Sequence, residues 1–168
     1  MSPLLQLPGR KALSDFRLEK LVSAVCAAVP DVVGIDARFW HFVQVSRPLS
    51  TEEQGILARI LTYGPRTDDT AQEGDLLLIV PRVGTLSPWS SKATDIARHC
   101  GLDAVMRIER GISYKLQTAD GLRLDSARRR AIVPLLHDRM TETVLHRYEE
   151  AAQLFHGIAP APLATVDV

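Results

Sequence analysis

A chain of 168 residues, 46% apolar and 24% charged, is long enough for one domain with a packed core and too apolar for global disorder. Its 20 basic and 20 acidic side chains cancel, which argues against a general nucleic-acid binder, whose phosphate contacts need a basic excess. No apolar run approaches the roughly 20 residues that span a bilayer, and the N-terminus lacks the charged-then-apolar layout of a signal peptide, so the expectation is a cytoplasmic protein with neither membrane nor nucleic acid as partner.

In chain order, Leu4 to Leu7 reads as a short edge strand ended by Pro8-Gly9. Ser14 caps a helix, with Asp15 in its first turn and Leu13 and Leu18 at the spacing of a hydrophobic staple. Pro30 stops it. Val33 to Ser46 alternates, with Ile35, Ala37, Phe39, His41, Val43 and Val45 on one face, which predicts a long strand. Ser50 and Glu53 form a capping box, and Ile56, Leu57, Ile60 and Leu61 form the stripe of a second helix that Gly64-Pro65 closes. Gly55 inside that helix costs about 1 kcal/mol relative to alanine.

After a polar loop to Gly74, Leu76 to Val80 is a continuous apolar run, the signature of a central strand. Ala93, Ile96, Ala97 and Cys100 repeat at helical spacing, so a helix is expected from Lys92 to Cys100. Val105 to Leu116 alternates again, with Met106, Ile108, Ile112, Tyr114 and Leu116 on one face and Arg110 interrupting it. Gly111 points to a bulge or the close approach of another backbone. Asp125 or Ser126 caps a helix that Pro134 should kink. Met140, Val144, Tyr148, Ala152 and Phe155 then line one side of a last helix, ended by Gly157. Ala159 to Pro162 is an extended linker. Strand, helix, long strand, helix thus occurs twice, from Leu4 to Tyr63 and from Leu76 to His137, at an offset of about 71 residues. The expected fold is α+β: two similar halves forming a pseudo-dimeric domain over residues 1–157, plus a C-terminal helix and linker.

The least generic stretch is Pro81 to Asp95, a polar loop between the apolar strand and the next helix. Such loops carry binding residues, and a helix start offers free N–H groups and a partial positive charge for an anion. Arg82, Thr85, Ser87, Trp89, Ser90, Ser91, Lys92, Thr94 and Asp95 are therefore candidates for an interface or an anion site, together with Glu109 and Arg110. Known chemistry fits them poorly. Ser91-Lys92 lacks the glycines of a phosphate loop, and no Gly-x-Ser-x-Gly elbow supports a serine nucleophile. The five histidines form no metal-ligand pattern. His41 reads as a core histidine. Cys26 and Cys100 read as reduced core thiols, and Arg128 to Arg130 as a solvated helix face. No catalytic residue and no metal ligand is assigned. Two readings stand for Lys92: an anion compensates its charge at the helix start, or it turns to solvent or to an acidic partner.

Ser87-Pro-Trp-Ser-Ser-Lys-Ala-Thr-Asp-Ile-Ala97 resembles the N-terminal domain of the large, single-chain phosphoribosylformylglycinamidine synthases. So do Ala12 to Arg17, Tyr63-Gly-Pro65, Arg107 to Gly111, Leu136 to Met140 with Thr143-Val144, and Thr165-Val-Asp167, in the same order. The resemblance implies a ligase of purine biosynthesis, a glutamine amidotransferase that uses ATP and Mg. Its catalytic machinery lies in synthetase and glutaminase domains beyond residue 168. It implies that this domain resembles a fused dimer of a small subunit, docks the glutaminase on the synthetase and shapes the ammonia path. On that reading, residues 158–168 begin a linker, no cofactor is held by this fragment, and the fragment alone is inactive. The alternative is a free-standing module that binds a phosphorylated metabolite.

Overall fold

The structure is a computed structural model that describes residues 3–64 and 73–156. It is an α+β fold built on one antiparallel sheet. Strands β1 (Leu4–Lys11), β2 (Val32–Val45), β3 (Asp75–Pro81), β4 (Val105–Thr118) and β5 (Glu142–Leu145) lie in the order β1-β2-β4-β3-β5. The two long strands pair at the centre, Phe39 opposite Ile112 and His41 opposite Arg110. Helices α1 (Asp15–Ala28), α2 (Thr51–Leu61), α3 (Pro88–His99) and α4 (Ser126–Leu136) connect them, and a 3-10 helix, Tyr148–Phe155, ends the described chain.

The starts of the helices are set by local chemistry. Ser14, Ser50, Ser87 and Asp125 are the caps, each accepting a backbone N–H three residues ahead. Glu53 completes the box by accepting the Ser50 N–H at 2.8 Å. Such caps satisfy donors that the first turn leaves without partners. Pro134 sits in the last turn of α4, which ends at Leu136. Proline deprives the Arg130 carbonyl of its helical donor at an exposed position.

Alternation along β2 and β4 gives the sheet two buried faces. On one, Ile35, Ala37, Leu77, Ile79, Tyr114 and Leu116 pack with Val25 of α1 and Ile132 and Leu136 of α4. Beside this cluster, Val43, Val45 and Ile108 pack with Leu57 and Leu61 of α2 and Ala93 and Ala97 of α3. On the other face, Phe42, Leu78 and Val80 pack with Leu145 and with Ala151 and Leu154 of the 3-10 helix. Tyr148 stacks on Trp40 at 4.2 Å, and its hydroxyl meets the Ser113 hydroxyl at 2.8 Å.

A spacing of 73 residues, not about 71, relates the two central strands. It carries Val32 to Val105 and Val45 to Thr118. Each strand has a register shift at its second residue, and both residues, Val33 and Met106, are exposed. The same spacing relates the bonds that close the pair: the Ser46 N–H donates to Ala104 O at 2.8 Å and the Ala119 N–H to Asp31 O at 2.9 Å. The outer strands do not follow it. Leu7 neighbours His41, whereas Leu77 neighbours Tyr114.

Five expectations are corrected. β1 continues through Pro8-Gly9 to Lys11, with a register shift absorbing the proline at the sheet edge. Met106 leaves the apolar face because the bulge takes it out of the alternation. α3 starts at Pro88, four residues before Lys92, since proline is preorganised for the first helical position and Ser87 caps it. The segment after His137 is not one helix. Thr143 to Leu145 pair with the free edge of β3, and only then does a 3-10 helix form. Cys100 is no core thiol. It is exposed at the end of α3, while Cys26 is half-buried and donates to Val32 O at 2.9 Å. The proposed stops at Pro65 and Gly157 and the Ala159–Pro162 linker lie outside the described residues.

Candidate functional site

The β3–α3 connection sits against β4, and it has a polar side and an aromatic side. On the polar side, the candidate residues are spent on one another. Ser87 Oγ accepts the Ser90 N–H at 3.1 Å and donates to Glu109 Oε2 at 3.3 Å. Ser90 Oγ donates to Ile108 O at 2.5 Å. Thr94 Oγ1 donates to Ser90 O at 2.7 Å and accepts the Ile108 N–H at 3.0 Å. Thr85 Oγ1 donates to Arg82 O at 2.6 Å. Serine and threonine hydroxyls thus clamp α3 onto β4, satisfying backbone groups that burial would otherwise leave unpaired.

Arg107 is the hub of this side. Its guanidinium pairs with Glu109, which is fully buried, and donates to Thr85 O at 3.1 Å and Leu154 O at 2.9 Å. It also lies over the Phe155 ring at 5.4 Å. One side chain therefore ties the loop, β4 and the 3-10 helix together. The ion-pair partner of Glu109 among the described residues is Arg107.

On the aromatic side, Arg110 points to the helix-covered face. Its guanidinium lies 4.1 Å from the Phe39 ring and 4.5 Å from the Trp89 ring. Nη1 donates to the Tyr63 hydroxyl at 3.1 Å. Arg10 lies 4.9 Å over the other ring of the group, Tyr63, and 5.6 Å over Phe39. His41 is fully buried, stacks on Trp89 and meets the Tyr63 hydroxyl through Nε2 at 2.9 Å. Burial, and then the Arg110 charge, hold its pKa down to about 4. His41 is thus the core histidine expected, with its ring packed beside the Leu7 backbone. Gly9 makes room for the ring, since a Cβ there would sit 2.7 Å from His41 Cε1.

Trp89 is the second residue of α3, not a loop residue, and it closes a cleft of about 270 Å³. Phe39, Arg110, Gly111, Ser87 and Glu142 line it with Trp89. Gly111 is required here, because a Cβ would lie 2.8 Å from Ile79 O. A wider recess of about 920 Å³ lies elsewhere, lined by Asp75, Lys115, Arg129 and Tyr148 among others. Asp75 there is engaged by Arg129 at 2.8 Å.

The structure therefore gathers Thr85, Ser87, Trp89, Ser90, Thr94, Glu109 and Arg110 around the start of α3. It leaves Ser91, Lys92 and Asp95 on the exposed face of the helix, and Arg82 exposed at the loop start. Lys92 no longer opens the helix, so its charge needs no anion to offset a helix dipole. Among the described residues, no group of three His, Cys, Asp or Glu side chains could hold a metal ion, and no helix is long and apolar enough to cross a membrane. For ATP and Mg, the start of α3 is a poor fit: the Ser87 hydroxyl already occupies the Ser90 N–H. Sequence reasoning missed Arg10, Phe39, Tyr63 and Arg107. Arg107 stood in a recognisable motif. Tyr63 and Arg110 are 47 positions apart and carry no local signal of their meeting.

A family model described as formylglycinamide ribonucleotide amidotransferase N-terminal matches residues 38–155. That span runs from the middle of β2 to the end of the 3-10 helix and includes the clamp, the arginine hub and the Trp89 cleft. It is more than half of the chain, and the chain accordingly belongs to the formylglycinamide ribonucleotide amidotransferase N-terminal family.

Proposed function

We propose that this chain is the non-catalytic assembly domain of a glutamine- and ATP-dependent ligase of purine biosynthesis, which makes formylglycinamidine ribonucleotide from formylglycinamide ribonucleotide. In this reading it docks the glutaminase domain on the synthetase domain and helps shape the ammonia path between them. ATP and Mg bind in those other domains, and the enzyme works in the cytoplasm. Residues 1–157 form the domain and residues 158–168 begin a linker. The two halves are a fused pair, a view supported by the 73-residue spacing of the central strands and their matching bulges.

The observation that carries the proposal is the use made of the hydroxyl-rich motif. Within a chain that matches the family, its buried hydroxyls are consumed in holding α3 and the loop to β4. A nucleophile must instead be presented to a substrate beside a base. What the motif presents outward is a rigid surface with Trp89 and Arg110 at its edge. Tryptophan and arginine are the side chains most enriched at the energetic centres of interfaces.

Two measurements test this. The isolated chain should show neither glutaminase nor ligase turnover, and measurable turnover overturns the proposal. In the full-length enzyme, Trp89→Ala should raise the ratio of glutamine hydrolysed to amidine formed while the domain stays folded. An unchanged ratio removes this surface from the coupling between domains.

A further inference from the structure

We propose that the cleft between the start of α3 and the start of β5 is a receptor for one carboxylate side chain presented by a partner protein surface. This rests on the assembly reading and gives its docking surface a chemistry. Two arginines, Arg10 and Arg110, share the Phe39–Tyr63 ring pair. Neither has a carboxylate within ion-pair distance among the described residues. Arg10 is exposed, whereas Arg110 is half-buried, and the other half-buried arginines do have one: Arg107 has Glu109, Arg128 has Asp31 and Arg129 has Asp75.

Arg110 donates only to Tyr63 among the described residues, while its guanidinium carries five N–H donors. The flanking Phe39 and Trp89 rings hold the guanidinium and leave its remaining donors for a ligand that lines up beside it in the cleft. A carboxylate meets such a fork with two parallel charge-assisted bonds. The acid at the rim, Glu142, makes no ion pair with Arg110 among the described residues, and its Oε2 accepts the Asp138 N–H at 2.9 Å.

Size favours a side chain over a metabolite. The cleft holds about 270 Å³, below the roughly 300–1,000 Å³ of small-molecule sites. It admits one aspartate or glutamate side chain between aromatic walls, the pattern of an interface anchor. Arg110 in its lining supplies the charge complementarity.

The test is a titration of the ¹⁵N-labelled chain, followed through the Trp89 indole N–H and the Arg110 Nε–H. The probes are acetyl-Ala-Glu-amide, its glutamine counterpart and inorganic phosphate, all at one ionic strength. The glutamate peptide should give a saturable shift at both groups, and the glutamine peptide should bind at least about tenfold more weakly. Arg110→Gln should abolish the shift and Arg110→Lys should retain part of it, with a thermal melt confirming each fold. If Arg110→Gln does not fold, Trp89→Leu should weaken glutamate binding by removing one wall. No saturable shift, an equal response to both peptides, or tighter binding of phosphate overturns the inference. If Trp89→Ala uncouples the full-length enzyme while the glutamate peptide does not bind, the assembly reading stands and the carboxylate falls. If the peptide binds and coupling is unaffected, the carboxylate stands and this surface drops out of the coupling between domains.

Discussion

The starts of α1 and α3 use the same local chemistry and meet different surroundings. Ser14 and Ser87 cap them in the same way, each accepting the N–H three residues on. Two residues after each cap stands an aromatic side chain. Phe16 is 75% exposed, whereas Trp89 is half-buried between Arg110 and His41. The strand beneath makes the difference. Counting 73 residues from Arg110 of β4 leads back to Ala37 of β2, and from Tyr114 back to His41. The Arg110 guanidinium lies 4.5 Å from the Trp89 ring and offers it a flat cationic surface worth about 0.5–2 kcal/mol. Capping starts a helix, and the strand it crosses decides whether its first turn becomes a site.

The largest expected effect comes from removing the hub. Arg107→Ala leaves Glu109 buried without its partner, and should cost about 3–5 kcal/mol in urea denaturation. It should also free the 3-10 helix, seen as faster proteolysis near Leu154. Asp36 and Arg38 of β2 also pair, at 3.1 Å. A loss below about 1 kcal/mol would show that Glu109 is adequately held by Ser87.

The acid limb of the stability curve comes next. His41 has a folded pKa of about 4 against 6.5 unfolded. The neutral ring is therefore favoured in the fold, and its contribution is fully present above pH 6.5. It is lost as pH falls from 6.5 through 4, by roughly 3 kcal/mol in all. His41→Gln should flatten stability over that window. Arg110→Gln should raise the His41 pKa, because it removes a repelling charge. A histidine titration by NMR with a midpoint near 6.5 would contradict the burial.

Smaller effects separate the two aromatic residues themselves. Trp89→Ala should destabilise the chain by about 2 kcal/mol, since about half of a buried tryptophan's contribution is at stake. Phe16→Ala should change stability by no more than about 0.5 kcal/mol. Equal values in thermal melts would erase the contrast between the two helix starts.

The smallest effect has the opposite sign. Gly55 in α2 is exposed, and a Cβ there would meet nothing within 4 Å. Gly55→Ala should stabilise the isolated chain by about 0.5–1 kcal/mol. Loss of stability would mean that Gly55 is held by something other than helix propensity.

Much of the fold was legible because its signals are local. Ser14, Ser50 with Glu53, and Asp125 or Ser126 announced three helices through a cap, the first two with a following apolar stripe. Alternation from Ile35 to Val45 and from Ile108 to Leu116 announced the two central strands. The errors arose where two local patterns compete. Pro88-Trp89 read as loop because proline breaks most helices, although the first helical position tolerates it. Val144, Tyr148, Ala152 and Phe155 recur every three or four residues and imitate a helix. Val144 instead pairs with Ile79, because the outer edge of β3 needs hydrogen-bond partners that only a distant segment supplies.

By itself, then, the sequence determined the α+β class, the caps of three helices and the candidate stretch around Trp89. It did so because caps, alternation and turns depend on residues within a few positions of one another. Tertiary structure alone decided what that stretch is. Only the pairing of β2 with β4 places Arg110 opposite His41 and beside Phe39, and only the end of α2 brings Tyr63 to both. Contacts across such separations depend on strand register and helix packing, which no local pattern of residues records.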